Sequence, residues 1–389
     1  MLPIEESWYK RLLLAALALG AAGGVASVVF MTVTGVGIDF FFGNTDTGWW
    51  AGQWWWIPLT AAGGLIVAWL RKMWHVPKEV PSPIALAHQA WVQPSTVIPW
   101  TLISAISLIA GASLGPFFGL NVMGGGMGAW LFTRLEDPDE ADAREMYTLS
   151  GMAGAMGAAF SAPLFAAVLA SELSPTRKEN YAAAFIPELF AATIGFVVFF
   201  GVTGSTMLGS YALPAYAFRV EHLLIAVLLG VLSAFILILF ALIKKLVSAV
   251  FSTIPNTLIA GLIGGACVGL VAFALPLTAT SGSSQLAVEL ELAATYGTAF
   301  LIAVLIGKMF AVALSQSSGF LGGVVFPIIF IGGTSGLVVH NLFPAIPIAL
   351  CVGAMMAAVP GAFLTAPVSL ILISAGTVGI GPSALVPIC

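Results

Sequence analysis

Long apolar stretches separated by short polar breaks dominate the chain. The first runs over residues 12–40, longer than the roughly 20 residues a membrane-spanning helix needs. A polar loop at 43–56 follows, where Trp49, Trp50, Trp54, Trp55 and Trp56 suit a membrane–water boundary. A second helix returns and ends before Arg71 and Lys72. Residues 76–99 are Pro-rich, partly polar and too broken to span. Further apolar segments cover 100–112, 116–132, 146–173, 181–202, 222–251, 258–277, 293–313, 323–339, 347–358 and 361–378. Several are too short, or too interrupted by Gly and Pro, for a plain span, and 146–173 is predicted to divide before Pro163.

Composition turns this pattern into a class. Hydrophobic residues make up 60% of the 389 and charged residues 8%, against about 25% charged in a soluble domain. The chain is predicted to be an all-α polytopic membrane protein, with the lipid bilayer as its surroundings. Lys10, Arg11, Arg71, Lys72 and Lys78 fall on one side, and the loop between the first two helices carries neither Lys nor Arg. The positive-inside rule puts the N-terminus in the cytoplasm. The net charge of −4, with no basic tail, argues against a nucleic-acid partner. Cys267, Cys351 and Cys389 lack paired spacing, and His75, His88, His222 and His340 are scattered, so no metal site and no cofactor are expected. The segment from Leu12 is too long for a cleavable signal peptide and has no clear cleavage site. An intramembrane enzyme would need facing Ser–His, Asp–Asp or His–Glu sets, and the apolar segments offer none.

The most informative run is 308–327, KMFAVALSQSSGFLGGVVFP. Gly319, Gly322, Gly323 and Pro327 break regular helix, and a fresh helix can begin at the Gly-Gly-Val-Val-Phe-Pro run. A helix that starts inside a membrane offers unpaired N–H groups and its positive dipole end, an anion site that needs no charged side chain. Small residues in such a run also serve helix–helix packing, so the pattern by itself leaves both readings open. Lys308 could raise the local potential for an anion, or snorkel or pair structurally. Glu188 is a lone acid in an apolar segment: a functional intramembrane acid, or an end-of-helix residue beside Pro187. Residues 134–145 read as a solvated charged loop.

The chain repeats itself. Ala159-Phe160-Ser161-Ala162-Pro163-Leu164 echoes Phe363-Leu364-Thr365-Ala366-Pro367-Val368, an offset of 204. Gly115, Gly124, Gly125 and Gly128 echo Gly323, Gly332, Gly333 and Gly336, an offset of 208. Repeats that each hold broken segments are the layout of transporters with a midplane site.

These motifs resemble the CLC family of chloride channels and chloride/proton antiporters, in its prokaryotic type without a regulatory domain. Residues 308–327 resemble the family's Ser-Gly-x-x-Gly-Gly-x-Phe-x-Pro segment, with Val324-Val325-Phe326-Pro327 where Ile-Phe-Ala-Pro is usual. Residues 151–172 resemble its Gly/Ala-rich run into Phe-Asn-Ala-Pro-Leu and a Glu-ending helix, and 115–128 its Gly-x-Glu-Gly-Pro helix. The resemblance implies broken, tilted helices in two inverted repeats, here 1–215 and 216–389, one anion pathway per subunit, and a homodimer. It implies backbone amides as anion ligands: Val324 and Val325 at the central site, and Gly115, Phe117, Phe118 and Gly119 at the outer gate. A Ser hydroxyl also binds the family's anion, and Ser82 in Val80-Pro81-Ser82-Pro83-Ile84 is the candidate, with a plain turn serine as the other reading.

Two departures bear on mechanism. Where the family places a gating glutamate, this chain has Phe117 in one register and Leu114 in the other, so Phe117 becomes the candidate gate, a hydrophobic plug. Glu172 matches the family's helix-end Glu, and Leu173 stands where antiporters carry their inner proton glutamate, so Glu172 reads as structural. The second departure is length: the family's last helices, including the one with its Tyr ligand, have no counterpart, and Tyr9, Tyr147, Tyr181, Tyr211, Tyr216 and Tyr296 are misplaced for that role. The second repeat is therefore expected to be incomplete after Cys389. The functional expectation is passive, non-enzymatic transport of chloride or a similar small anion in a prokaryotic inner membrane. Proton-coupled antiport by a non-standard route and a non-conducting relative are the alternatives.

Overall fold

The computed structural model describes residues 7–43, 52–77, 79–136, 141–173, 181–206, 211, 213–214, 217–292, 295–364 and 366–378. Trp49, Trp50, Lys78, Tyr216, Thr365 and the segment from 379 to Cys389 lie outside the described residues. The helices come in two series. The first is α1 (Ser7–Phe42), α2 (Trp56–Met73), α3 (Pro83–Gln89), α4 (Val97–Ile109), α5 (Phe117–Leu135), α6 (Ala141–Phe160), α7 (Pro163–Leu173) and α8 (Tyr181–Thr203). The second is α9 (Glu221–Ser252), α10 (Thr257–Ala274), α11 (Ser283–Glu291), α12 (Thr298–Ser317), α13 (Val325–Leu342), α14 (Ile348–Leu364) and α15 (Pro367–Val378). Each series opens with one long helix, of 36 and 32 residues. At 1.5 Å per residue both exceed the ~30 Å hydrocarbon core, so both must tilt. Among the described residues, six helices (α1, α8, α9, α10, α12 and α13) are long and apolar enough to cross a membrane, and the protein is an integral membrane protein.

Lipid supplies no hydrophobic drive between helices, so close packing needs small residues. The echoed glycines serve that need. A Cβ on Gly124 would meet the Gly151 carbonyl oxygen of α6 at 2.3 Å, and one on Gly128 would meet that of Tyr147 at 2.1 Å. In the second series, Gly332 faces the Met355 carbonyl oxygen of α14 at 2.4 Å and Gly336 that of Cys351 at 2.6 Å. The α5–α6 and α13–α14 crossings thus use the same positions, and no side chain fits between the backbones.

The division before Pro163 falls as the sequence indicates, with α6 ending at Phe160 and α7 starting at Pro163. Three differences stand out. The break read at 359–360 is not there: Pro360 lies inside α14, which runs to Leu364. Pro removes only one N–H near this C-terminal end, and Pro360 is buried, so packing outweighs the lost bond. Arg71 and Lys72 form the last turn of α2 instead of following it, where their charge favours the helix C-terminus. Helix α11 was unforeseen, since its SSQLAVELE sequence is too short and polar to show a periodicity.

Candidate functional site

The two Gly-rich helix starts meet. Gly115 N–H donates to the Gly323 carbonyl at 2.7 Å and Gly323 N–H to the Gly115 carbonyl at 2.8 Å, forming an antiparallel bridge. The partners are the residues 208 apart in the repeat. A second pair of bonds is reciprocal in the same way. Ser113 N–H donates to Ser315 Oγ at 3.0 Å, and Leu321 N–H donates to Ser107 Oγ at 3.0 Å. Each serine in turn donates to the carbonyl four residues earlier, Ser107 to Ile103 and Ser315 to Ala311, both at 2.7 Å. Exchanging the two series maps each bond onto the other, as a two-fold relation between them requires.

Only glycine fits at this junction. A Cβ on Gly323 would lie 2.5 Å from Phe117 Cβ, and one on Gly322 2.6 Å from Leu114 Cβ. Immediately beyond the bridge, α5 begins at Phe117 and α13 at Val325, and neither start has a side-chain cap. The first N–H groups of a helix have no partner within it, and they carry about half a positive charge between them. Two such ends therefore point their donors and their fields at one locus.

That locus opens on a cavity of about 430 Å³, whose lining includes Arg71, Ser82, Phe117, Lys244, Val324 and Val325. A neighbouring cavity of about 580 Å³ shares Arg71, Glu79 and Gln316 and adds Lys72. The two vestibules hold more cationic than acidic side chains, which raises the local concentration of anions. Arg71 Nη1 also holds the loop before the bridge, donating to the Gly319 carbonyl at 2.8 Å.

Of the residues singled out in the sequence, Ser82, Phe117, Phe118, Val324 and Val325 line the 430 Å³ cavity together. Gly115 and Gly119 are not among its lining residues: Gly115 sits in the bridge, and Gly119, in the first turn of α5, lies against Phe30 and Ser104. Ser82 is the N-cap of α3, where its Oγ accepts from Ala85 N–H at 3.1 Å. Its hydroxyl proton is not used by that bond, so capping and donation to an anion are compatible. Phe117 is 1% exposed and packs edge-on against Phe160, with ring centroids 6.1 Å apart. Phe160 stacks on Phe326 at 5.0 Å and 5°, so one aromatic column spans both helix starts.

The acids take separate places. Glu172 accepts from the N–H groups of Val368 at 3.0 Å and Ser369 at 2.8 Å, which caps α15 and ties the two series together. Glu188 is fully buried within α8, not at its end, and accepts from Ser171 Oγ at 3.2 Å. Lys308 does not snorkel: it is fully buried, and its Nζ donates to the carbonyls of Thr278, Ala279 and Thr280. Glu289, in the unforeseen α11, is also fully buried. Outside the spans, burial pushes the Glu136 carboxyl up. Hydrogen bonds from Arg11 and Tyr147 and the Arg11 charge outweigh that and hold it below its ordinary value.

The sequence model described as voltage gated chloride channel matches residues 63–389. The uncharacterized protein MJ0305 of Methanocaldococcus jannaschii is 32% identical over 201 residues, covering 51% of this chain and 50% of the relative. The putative ion-transport protein YfeO of Salmonella newport is 26% identical over 277 residues, covering 67% of this chain and 63% of the relative. The chain thus spans about half to two-thirds of the length of these curated relatives. The fold matches a slow cyanobacterial Cl−/H+ antiporter at TM-score 0.82 and 20% identity, over 97% of this chain and 91% of that one. A CLC-type fluoride/proton antiporter matches at TM-score 0.76 and 20% identity, over 97% and 93% of the two chains. With its motifs, its paired helix starts and a family match over most of its length in agreement, the chain belongs to the voltage gated chloride channel, or CLC, family.

Proposed function

We propose that this protein carries chloride or a similar small anion passively across a prokaryotic inner membrane. The observation behind this reading is the pair of uncapped helix starts locked by the Gly115–Gly323 bridge above a cationic vestibule. The amides of Val324 and Val325, those of Phe117, Phe118 and Gly119, and the Ser82 hydroxyl bind the anion. Phe117 gates the passage, because a buried ring can close a pore by excluding water. No carboxylate stands at Phe117 or Leu173, so the usual carriers of a proton are absent from those two positions. We read residues 1–215 and 216–389 as the two repeats, the N-terminus as cytoplasmic and the assembly as a homodimer.

Proton-coupled antiport is the second reading. The buried Glu188, held by Ser171 two residues from Leu173, supports it, and the two similar structures above are of antiporters. Purified protein in vesicles, followed with chloride and pH electrodes, separates the possibilities. Passive transport predicts chloride efflux with no linked proton movement. Uphill proton movement driven by a chloride gradient overturns the passive reading, and the absence of anion flux overturns transport by this chain.

A further inference from the structure

Helix α11 carries a buried acid that the transport reading does not use. Glu289 is fully buried, and its Oε2 accepts from Thr334 Oγ1 of α13 at 2.6 Å. Its Oε1 has no hydrogen-bond partner among the described residues. The nearby cation does not supply one. An ammonium has three donors, and Lys308 Nζ directs its own at three backbone carbonyls, at 3.1, 3.5 and 2.7 Å. Its remaining approach is to the Phe330 ring, 5.1 Å from the centroid. Lys308 and Glu289 therefore share a field without sharing a hydrogen bond.

One turn earlier on α11, Gln285 presents the matching problem. It is 2% exposed, its Nε2 donates to Thr280 Oγ1 at 3.1 Å, and its Oε1 is also without a partner. Residues four apart lie on one face of a helix. An ionised Glu289 would leave a charged, dry oxygen with no donor beside a second acceptor with none, which is costly. A proton on Glu289 Oε1 turns that oxygen into a donor, and the Gln285 amide oxygen one turn away on the same face is an acceptor in want of one.

We infer that Glu289 is a proton-binding site, occupied at neutral pH, that is tied to the anion-binding helix α13 through Thr334. The groups facing it are Gln285 on its own helix, Thr334 on α13, Lys308 on α12, Thr278 and Thr280 in the turn before α11, and Tyr296 between α11 and α12. Glu291 is exposed, and His340 Nδ1 is engaged with the Ile346 carbonyl at 2.8 Å. Loss of the proton places a new negative charge beside α13, which opposes an anion at the start of that helix, so anion flux falls as pH rises through the titration of Glu289.

The test compares the full chain with Glu289→Gln, a side chain of the same shape as the neutral acid. Infrared difference spectra of the purified protein at neutral pH are expected to show a protonated-carboxyl band that Glu289→Gln removes. The thermal midpoint of the variant is expected to match that of the parent, because the variant mimics the state already present. Superimposable carboxyl bands, or a large fall in the midpoint, mean that Glu289 is ionised, and they overturn the inference without touching the anion site. In vesicles, chloride flux through the parent should fall with rising pH and flux through Glu289→Gln should stay at the acidic level. An unchanged pH profile in the variant overturns the link to transport.

Discussion

The starts of α5 and α13 are one frame with two fillings. The frame is shared bond for bond: the Gly115–Gly323 bridge is its own counterpart, and the Ser107 and Ser315 bonds exchange under the repeat. The fillings differ. Helix α5 opens Phe-Phe-Gly, and α13 opens Val-Phe-Pro. Backbone donors at both starts are alike, because they follow from helix geometry alone. What stands in front of them is asymmetric, since Phe117 covers one start with an aromatic ring and Val325 the other with a small aliphatic group. On the proposed function, anion affinity belongs to the shared frame and gating to the unshared side chains.

The frame should break first and hardest. Gly323→Ala puts a methyl 2.5 Å from Phe117 Cβ, an atom fixed to the backbone of the opposite start. Overpacking of this kind costs about 1–3 kcal/mol, and fluorescence-detected size exclusion should show a clear loss of thermal stability. Gly35→Ala in α1 is the control, since no atom lies within 4 Å of the added carbon. There the change should be neutral or stabilising by up to about 1 kcal/mol.

Next come the fillings. Phe117→Ala should raise chloride efflux several-fold in the folded protein, at a loss of thermal stability because the ring is buried, and Phe117→Glu should make the flux pH-dependent. Val325→Ala should do neither, and equal effects at both starts would refute the asymmetry.

Stability effects of similar size test the symmetry itself. Ser107→Ala and Ser315→Ala each leave one buried N–H without its acceptor, a loss of about 1–3 kcal/mol. Denaturation midpoints of the two variants should fall by similar amounts, and unequal shifts would show that the frame is not shared energetically.

The smallest effect concerns a contact found in one series only. Arg11 Nε bonds Glu136 at 3.0 Å, and Tyr147 bonds the same carboxylate at 2.8 Å. The residue 208 after Arg11 is Arg219, which meets Glu221 in an exposed pair. The Glu136 carboxyl titrates below its ordinary value, so its stabilisation is full above the unfolded-state value and is lost as pH falls through the folded one. Glu136→Gln should lower the thermal midpoint near neutral pH and converge with the parent in acid, whereas Glu221→Gln should change little at any pH.

Much of this frame could be read from the chain. Gly124 and Gly128 repeat at one offset because each lets two backbones touch, and that requirement leaves no choice of residue. The lone Lys308 was visible too, although its carbonyl partners at 278–280 were not, because they come from a loop 28 to 30 residues away. Glu289 escaped notice because α11 is too short to show a pattern, and only the fold reveals that the helix is enclosed. Glu188 could be read at the interface or in the core, and its burial is decided by α7 packing, through Ser171. Pro360 misled because a helix-breaking residue near a buried helix end costs less than the packing it joins.

The central claim is that the bridged starts of α5 and α13 hold the anion. Diffraction from crystals of the full chain grown in bromide, with data at the bromine absorption edge, tests it most directly. The account predicts an anomalous peak within hydrogen-bond distance of the Val324 or Val325 amide, between those amides and Phe117. A peak elsewhere in the protein, with none at the Gly115–Gly323 junction, would contradict it.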